Sequence, residues 1–299
     1  MKSIKIGTRK SPLAMWQARE VARNLQNHNF TTDISPIVSS GDKDLVNPLY
    51  AMGLTGVFTK DLDYALLDRE IDIAVHSLKD VPTDLPDTIE ILAYLKRDYP
   101  QDVLVRSKAA AGKDIRELKV ATSSLRRRAF WRREFPETEF VDIRGNVSTR
   151  LQKIEDGLAD ATIFSLAGLK RLELNIAYEE LPFMIPAPGQ GVVVVTGHSA
   201  NVEINRAVRK LNDAETQYCV ENERAFLKTL EGGCTAPIGA FAEIVEGQMR
   251  FVARLCSKNG KECVDTDEIF NFDPQILYGN KIAITVLKNG GKEIMELLY

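Results

Sequence analysis

The sequence predicts an α/β protein with largely parallel sheets, followed by a smaller α+β unit. Three observations carry this. The first two thirds repeat a short apolar strand, a polar loop and an amphipathic helix, the pattern of parallel strands joined by crossover helices. The polar crossing Lys96-Arg97-Asp98-Tyr99-Pro100 separates two such runs, and the last hundred residues change to a long helix and alternating strands. At about 150 residues per domain, 299 residues leave room for two or three domains, each with a core of its own.

Taken in order, Ile4 to Gly7 reads as the first strand. Ser11-Pro12 then supplies an N-cap and a proline at the first helical position, and Ala14, Ala18, Val21, Ala22 and Leu25 recur at helical spacing. A helix over Val57 to Leu67, with Phe58, Leu62, Ala65 and Leu66 on one face, feeds a strand over Ile71 to His76, which makes a βαβ unit. A strand over Ile89 to Leu95 ends this run. Beyond the crossing, the strand Val103 to Arg106 opens a second α/β domain. Its units are Val120 to Thr122 into the helix Leu125 to Arg133, Phe140 to Ile143 into the helix Val147 to Gly157, and Ala161 to Leu166 into the helix Ala167 to Leu172. The stretch from Leu181 to Gly191 is too rich in proline for a helix and reads as a return crossing into a strand over Val192 to Thr196. A helix over Ala214 to Leu230 precedes Glu231-Gly232-Gly233-Cys234. In the strands that follow, Asn259-Gly260 signals a type I′ hairpin that sets Cys256 opposite Cys263. A helix over Asp273 to Leu287 completes the unit.

Composition excludes several classes. Hydrophobic residues make up 44% and charged residues 27%, as in ordinary globular proteins, and a formal charge of −3 argues against a protein that coats DNA or an anionic membrane. Apolar runs such as Val192 to Val195 fall far short of the roughly 20 residues of a membrane helix. The start, Met1 to Gly7, lacks the apolar stretch and cleavage site of a secretory signal, so a cytoplasmic protein is expected. The cysteines Cys219, Cys234, Cys256 and Cys263 form no Cys-x-x-Cys pair and His28, His76 and His198 lie far apart; no metal site is expected, and the thiols are expected free.

The chemistry concentrates where strands end. In open parallel sheets, ligands sit beyond the C-terminal ends of strands, beside helix N-termini that favour anions. Three predicted strands run into Thr8-Arg9-Lys10-Ser11, Ser77-Leu78-Lys79-Asp80 and Ser123-Ser124-Leu125-Arg126-Arg127-Arg128. Between Lys119 and Arg150, eight basic residues face four acidic ones, a local +4 in a chain of −3, and the planar fork of arginine suits bidentate carboxylate or phosphate binding. Arginines on a helix are usually a solvated face, and that reading fits Arg128, Arg132 and Arg133. It fits less well Arg126 and Arg127 behind a Thr-Ser-Ser helix start, or Arg144 and Arg150 flanking a Gly145-Asn146 turn. Asp80 after Lys79 could be a surface ion pair, His76 a packed strand histidine, and Cys234 a buried loop thiol. Spacing alone leads to an enzyme or a binder for a polyanion.

In this order, Gly7-Thr8-Arg9-Lys10-Ser11-Pro12-Leu13-Ala14, Asp72-Ile73-Ala74-Val75-His76-Ser77-Leu78-Lys79-Asp80-Val81-Pro82, Thr122-Ser123-Ser124-Leu125-Arg126-Arg127, Arg144-Gly145-Asn146-Val147-Ser148-Thr149-Arg150 and Glu231-Gly232-Gly233-Cys234 closely resemble the porphobilinogen deaminase (hydroxymethylbilane synthase) family over nearly the whole chain. The resemblance implies a transferase of heme and porphyrin (tetrapyrrole) biosynthesis that joins four porphobilinogen molecules head to tail, releases ammonia each time and hydrolyses the product to hydroxymethylbilane. The chain would grow on a dipyrromethane cofactor held by a thioether to Cys234. By the same resemblance Asp80 is the catalytic carboxylate. Ser77, Lys79, Asp80, Thr122, Ser123, Ser124, Arg126, Arg127, Arg144 and Gly145 hold the cofactor, and Arg9, Ser11, Arg150, Arg171 and Gln190 the substrate.

The fold so implied has three domains: two doubly wound domains around a cleft, resembling periplasmic binding proteins, over 1–96 with 191–211 and over 100–188, and an α+β domain over 213–299 that carries the cofactor cysteine. Porphobilinogen is the implied partner, with no nucleic acid, no membrane and a monomeric state. The sequence departs from the family pattern at Ala51, Thr55 and Gln101, where basic residues are usual, so weaker substrate handling is expected there. Two rivals remain at this point, a solute-binding module and a divergent non-catalytic paralogue.

Overall fold

The computed structural model describes residues 3–38, 59–230 and 236–298, and the chain divides into two compact units. The first holds the described parts of 3–38, 59–98 and 191–217. Its elements are β1 (Ile4–Arg9), α1 (Pro12–Asn27), β2 (Thr32–Ile37), α2 (Lys60–Leu67), β3 (Ile73–Ser77), a 3₁₀ turn (Leu78–Asp80), β4 (Ile89–Tyr94), β10 (Val193–His198) and α6 (Val202–Val208). The sheet order is β2-β1-β3-β10-β4, with β1 parallel to β2 and β3 and the returning β10 antiparallel to β3 and β4.

The first helix forms as its sequence dictates. Ser11 caps it by accepting from Ala14 N at 3.3 Å, Pro12 fills the first turn, and Ala14, Ala18, Val21, Ala22 and Leu25 face the sheet. Such a cap is worth about 1 kcal/mol. The strand β2 has no counterpart in the sequence reading, because its residues alternate only weakly in polarity. It lies at the sheet edge, where Pro36 can stand without an N–H to donate. The expected helix over Val57 to Leu67 is described from Lys60; Phe58 lies outside the described residues.

The second unit comprises the described residues of 99–190 and 218–298. Its larger sheet has the order β7-β6-β8-β5-β9, from β5 (Asp102–Arg106), β6 (Val120–Ala121), β7 (Phe140–Val141), β8 (Ala161–Ser165) and β9 (Glu179–Glu180); β6 is parallel to β7 and β8, and β5 antiparallel to β8 and β9. The helices α3 (Leu125–Glu134), α4 (Val147–Glu155) and α5 (Leu166–Arg171) connect them. The smaller sheet is an antiparallel meander of β11 (Ile238–Val245), β12 (Gln248–Cys256) and β13 (Cys263–Asn271). Phe226 of α7 (Ala214–Thr229) and Leu230, the residue after it, pack with Phe251, Ile282 and Ala283 over this meander. The fold is thus mixed α/β, with two sheets of doubly wound type and a small antiparallel sheet.

Three local expectations change. The final helix is shorter than Asp273 to Leu287: α8 spans Gly279–Val286, because Asp273 instead anchors a turn through its side chain and carbonyl to Gln275 N and Ile276 N, and Gly290 at φ 102° interrupts the chain before α9 (Lys292–Glu296). The hairpin keeps the expected register, Cys256 opposite Cys263, but not a type I′ turn. Of Asn259 and Gly260 only Gly260 has positive φ, at 76°, because Asn259 Oδ1 accepts from Lys261 N and Ser257 Oγ and reshapes the loop. A Cβ at Gly260 would lie 2.3 Å from the Ala129 carbonyl of α3, so only glycine lets the tip seat there. Finally, Cys256 and Cys263 are joined in a disulfide rather than free, since direct opposition on neighbouring strands brings the two sulfurs together; Cys219 is buried.

Candidate functional site

In the first unit the ends of β1 and β3 and the start of α1 surround a pocket lined by Arg9, Ser11, Gln17, Thr59, His76, Ser77 and Asp80, with Leu13, Ala14 and Val75 as its apolar wall. Arg9 closes β1, Ser11 caps α1, Ser77 closes β3, and Asp80 ends the 3₁₀ turn that follows. That turn is fixed at both ends by Leu78 N on the Val192 carbonyl at 3.0 Å and Val81 N on the Leu78 carbonyl at 3.0 Å. Lys79 is half-buried in the same turn and is not among the lining residues.

Gln17 is buried and donates from Nε2 to Ser77 Oγ at 2.8 Å, tying α1 to the end of β3. The sequence reading passed over it and Thr59. The signal for Gln17 was a polar residue on the otherwise apolar face of Ala14, Ala18 and Val21.

His76 is buried, with Nε2 3.3 Å from Thr196 Oγ1. Burial, and then the positive charge of Arg9, push its pKa down to about 4, so it is neutral at pH 7. Its folded pKa therefore lies below the unfolded value of 6.5, and the unfolded chain binds the extra proton in between. Stability contributed by His76 is complete above pH 6.5 and is lost as pH falls towards about 4, a total of about 3 kcal/mol. Urea unfolding from pH 7.5 to pH 4 should show that much less acid destabilisation in His76→Gln than in the wild type; parallel curves would contradict the buried neutral imidazole.

In the second unit the predicted anion binders gather around the N-termini of α3 and α4. Ser124 caps α3, accepting from Arg127 N at 3.4 Å, while its own N–H donates to Thr122 Oγ1 at 3.2 Å. Ser123 Oγ ties this turn to the end of the next strand, donating to the Ile143 carbonyl at 3.1 Å and accepting from Ile143 N at 3.0 Å. Asn146 caps α4 through Thr149 N at 2.9 Å, and Gly145 holds φ 113°, which lets the chain turn from Arg144 into that cap.

Arg126, Arg127, Arg144 and Arg171 are at most 9% exposed. Arg126 and Arg127 are not free forks: Arg126 Nη1 lies 2.6 Å from Asp102 Oδ2, and Arg127 Nη2 lies 2.7 Å from Asp102 Oδ1. Gln190 Nε2 donates to the same Asp102 Oδ1 at 3.1 Å and to the Pro100 carbonyl at 2.7 Å. Arg150, half-buried, donates from Nη2 to Thr162 Oγ1 at 2.9 Å and to the Ile163 carbonyl at 2.8 Å, with its guanidinium 4.4 Å from the centre of the Phe164 ring. Burial and the neighbouring charge of Arg127 push Arg150 down to about 9. An anion there would relieve both effects.

The solvated-face reading of Arg128, Arg132 and Arg133 is refined: each makes a structural tie. Arg128 pairs with Asp142 at 2.9 Å, Arg133 with Asp265 at 2.7 Å, and Arg132 lies over the Phe140 ring. Cys234, Ala51 and Thr55 lie outside the described residues. Gln101 is exposed.

The chemistry of this set fits an anionic pyrrole cofactor. Four arginines are buried here, against Asp102 and Glu223 as the buried acids among the unit's described residues. Glu223 is occupied by Gly189 N at 2.7 Å and Ala242 N at 2.8 Å. Arg150 Nε is buried without a hydrogen-bond partner among the described residues. Such a donor is costly unless an acceptor reaches it.

A family model for the porphobilinogen deaminase dipyromethane cofactor binding domain matches residues 4–206, and one for the porphobilinogen deaminase C-terminal domain matches 217–288. Porphobilinogen deaminase of Chloroherpeton thalassium is 40% identical over 98% of this chain and 97% of its own length. That of Pelobacter propionicus is 37% identical over 100% and 98%, and that of Desulfosudis oleivorans 39% over 98% and 96%. Among solved structures, an ancestral cationic amino acid solute binding protein covers 70% of this chain and 87% of its own, at 16% identity and a TM-score of 0.43.

Proposed function

The chain belongs to the porphobilinogen deaminase family, and from that membership we propose how its own residues divide the work. The enzyme is a transferase that condenses four porphobilinogen molecules head to tail with release of ammonia, on a dipyrromethane cofactor, and hydrolyses the product to hydroxymethylbilane. The non-catalytic and solute-binding alternatives are not favoured. When bound, the dipyrromethane supplies the pyrrole position to which substrate is joined.

In the first unit Asp80 is the catalytic carboxylate. Loss of ammonia leaves a methylene-pyrrole cation on the substrate, and a carboxylate beside it lowers the energy of that charge and can take up the proton released when the new bond forms. Arg9 and Ser11 in the same pocket hold substrate carboxylates, and the neutral His76 adds no competing positive charge. Ser77, just before the turn, and Lys79, within it, hold cofactor.

In the second unit Thr122, Ser123, Ser124, Arg126, Arg127, Arg144 and Gly145 hold cofactor, and Arg150, Arg171 and Gln190 hold substrate. Cys234 carries the covalent thioether. The observation that carries this assignment is the surplus of buried arginine over buried acid in the second unit, which matches a ligand bearing an acetate and a propionate on every ring.

We divide the chain into three domains, 1–96 with 191–211, 100–188 and 213–299, a division supported by three separate sheets. The setting we propose is a cytoplasmic monomer without a nucleic-acid partner; the formal charge of −3 supports the last point.

The site assignment is tested by Arg9→Gln and Arg150→Gln. Each removes one charge-assisted contact, so the KM for porphobilinogen should rise about tenfold in each variant with kcat altered far less. A KM unchanged in either variant would take that arginine out of the site.

A further inference from the structure

The carboxylate shared by Arg126, Arg127 and Gln190 belongs to Asp102, the first residue of β5. It is 0% exposed, and its place is set by the sheet, where it pairs with Ser165 of β8. Its two oxygens do different jobs. Oδ2 takes Arg126 Nη1 at 2.6 Å; Oδ1 takes Arg127 Nε at 3.2 Å and Nη2 at 2.7 Å, and Gln190 Nε2 at 3.1 Å.

The donors left over carry the inference. A guanidinium has five N–H groups in a fixed fork. The remaining hydrogen of Arg126 Nη1 goes to the Ile185 carbonyl at 2.7 Å, so Nη1 alone is spent, and the Nε and Nη2 edge has no hydrogen-bond partner among the described residues. That edge is the one suited to a two-point grip on a carboxylate. Arg127 Nη1 donates to the Ile163 carbonyl at 2.7 Å, the same carbonyl that Arg150 Nη2 reaches at 2.8 Å. One buried acid therefore fixes two guanidinium planes directly and abuts a third arginine through a shared acceptor. It also lies between two positive charges on consecutive residues, which would otherwise repel each other.

We propose that Asp102 is a positioning residue for recognition of the pyrrole carboxylates. It does not touch substrate; it locks the planes of Arg126 and Arg127 and the amide of Gln190, so that the open edge of Arg126 meets an incoming carboxylate already oriented. This rests on the deaminase reading and on Arg126 and Arg127 as ligand-holding residues, and it adds to them a residue that sequence spacing did not single out.

The test is a double-mutant cycle with Asp102→Asn and Arg126→Gln in the full-length enzyme, read in the KM for porphobilinogen, in kcat and in the fraction of purified chain carrying the covalent pyrrole pair by intact mass. Asp102→Asn keeps the shape and one acceptor but removes the charge. It should raise KM about tenfold and lower the loaded fraction, with kcat of the loaded enzyme within about threefold of wild type. In the Arg126→Gln background the same substitution should change KM by clearly less than about tenfold, because one of the groups it positions is gone while Arg127 and Gln190 remain. KM and loading both at wild-type values, or single effects that multiply in the double variant, would overturn the proposal. If Asp102→Asn is recovered only unfolded, Asp102→Glu, which keeps the charge and displaces it by one methylene, goes through the same cycle with the same two readings. Wild-type turnover measured alongside separates the failures: a wild type that never consumes porphobilinogen contradicts the deaminase reading beneath the proposal, whereas an active wild type with multiplicative effects contradicts Asp102 alone.

Discussion

Asp80→Asn is expected to yield a folded chain that still carries its covalent pyrrole pair and turns over porphobilinogen about three powers of ten more slowly. The substitution keeps the size of the side chain and an accepting oxygen, and removes only the negative charge. A unit charge about 4 Å from a developing cation, at an effective dielectric constant near 20, is worth about 4 kcal/mol, which converts to that factor in rate. The surroundings make the charge count. Asp80 ends a turn pinned by the Val192 and Leu78 carbonyls, so it cannot swing far, and it lines a pocket whose histidine is neutral. In the proposed assignment, attachment of the cofactor depends on Cys234 rather than on Asp80, so mass and turnover should separate. An Asp80→Asn enzyme within tenfold of the wild-type kcat would remove Asp80 from the catalytic role.

Cys234→Ser is expected to give a chain of bare polypeptide mass with no measurable product, unfolding within a few degrees of the wild type. Sulfur is intrinsically far more nucleophilic than a serine hydroxyl towards a methylene-pyrrole cation, and without a covalent anchor the growing chain has nothing to stay attached to. The fold should not suffer. The elements on either side of Cys234 in the sequence, α7 and β11, are held by contacts that do not involve it: Glu223 of α7 accepts from Ala242 N of β11 at 2.8 Å, and Phe226 and Leu230 pack with Phe251. Serine-variant enzyme that still releases hydroxymethylbilane at the wild-type rate would contradict the covalent role.

Most of the strand and helix pattern was legible because apolar periodicity and caps agree with the final packing. Ser11-Pro12 and the stripe from Ala14 to Leu25 are read and found as one helix, and the helices read from Leu125 and Val147 start at those residues, where the structure shows Ser124 and Asn146 as their caps. What escaped was decided by contacts distant in sequence. The strand β2 is defined by its partner β1 and not by its own weak alternation. The turn at Asn259-Gly260 is shaped by the Asn259 side chain and by the seat against Ala129.

At the site, the strand-end arginines stood out by number, since charge density is a property of the sequence. Their restraint by Asp102 was not visible, because Asp102 lies 24 residues before Arg126 and a single acid at a strand start has no pattern. Gln17 and Glu223 escaped for a related reason. Each is a buried polar helix residue whose meaning comes from Ser77, or from Gly189 and Ala242, which only the fold brings near.

The most direct test of the central claim is the intact mass of the denatured wild-type chain, before and after a brief exposure to a few equivalents of porphobilinogen, beside Cys234→Ser treated identically. The wild type should carry the added mass of two linked pyrroles from the outset and gain a ladder of single pyrrole increments on exposure, while the serine variant stays at its polypeptide mass throughout. A wild-type chain that is bare and remains bare would contradict the account.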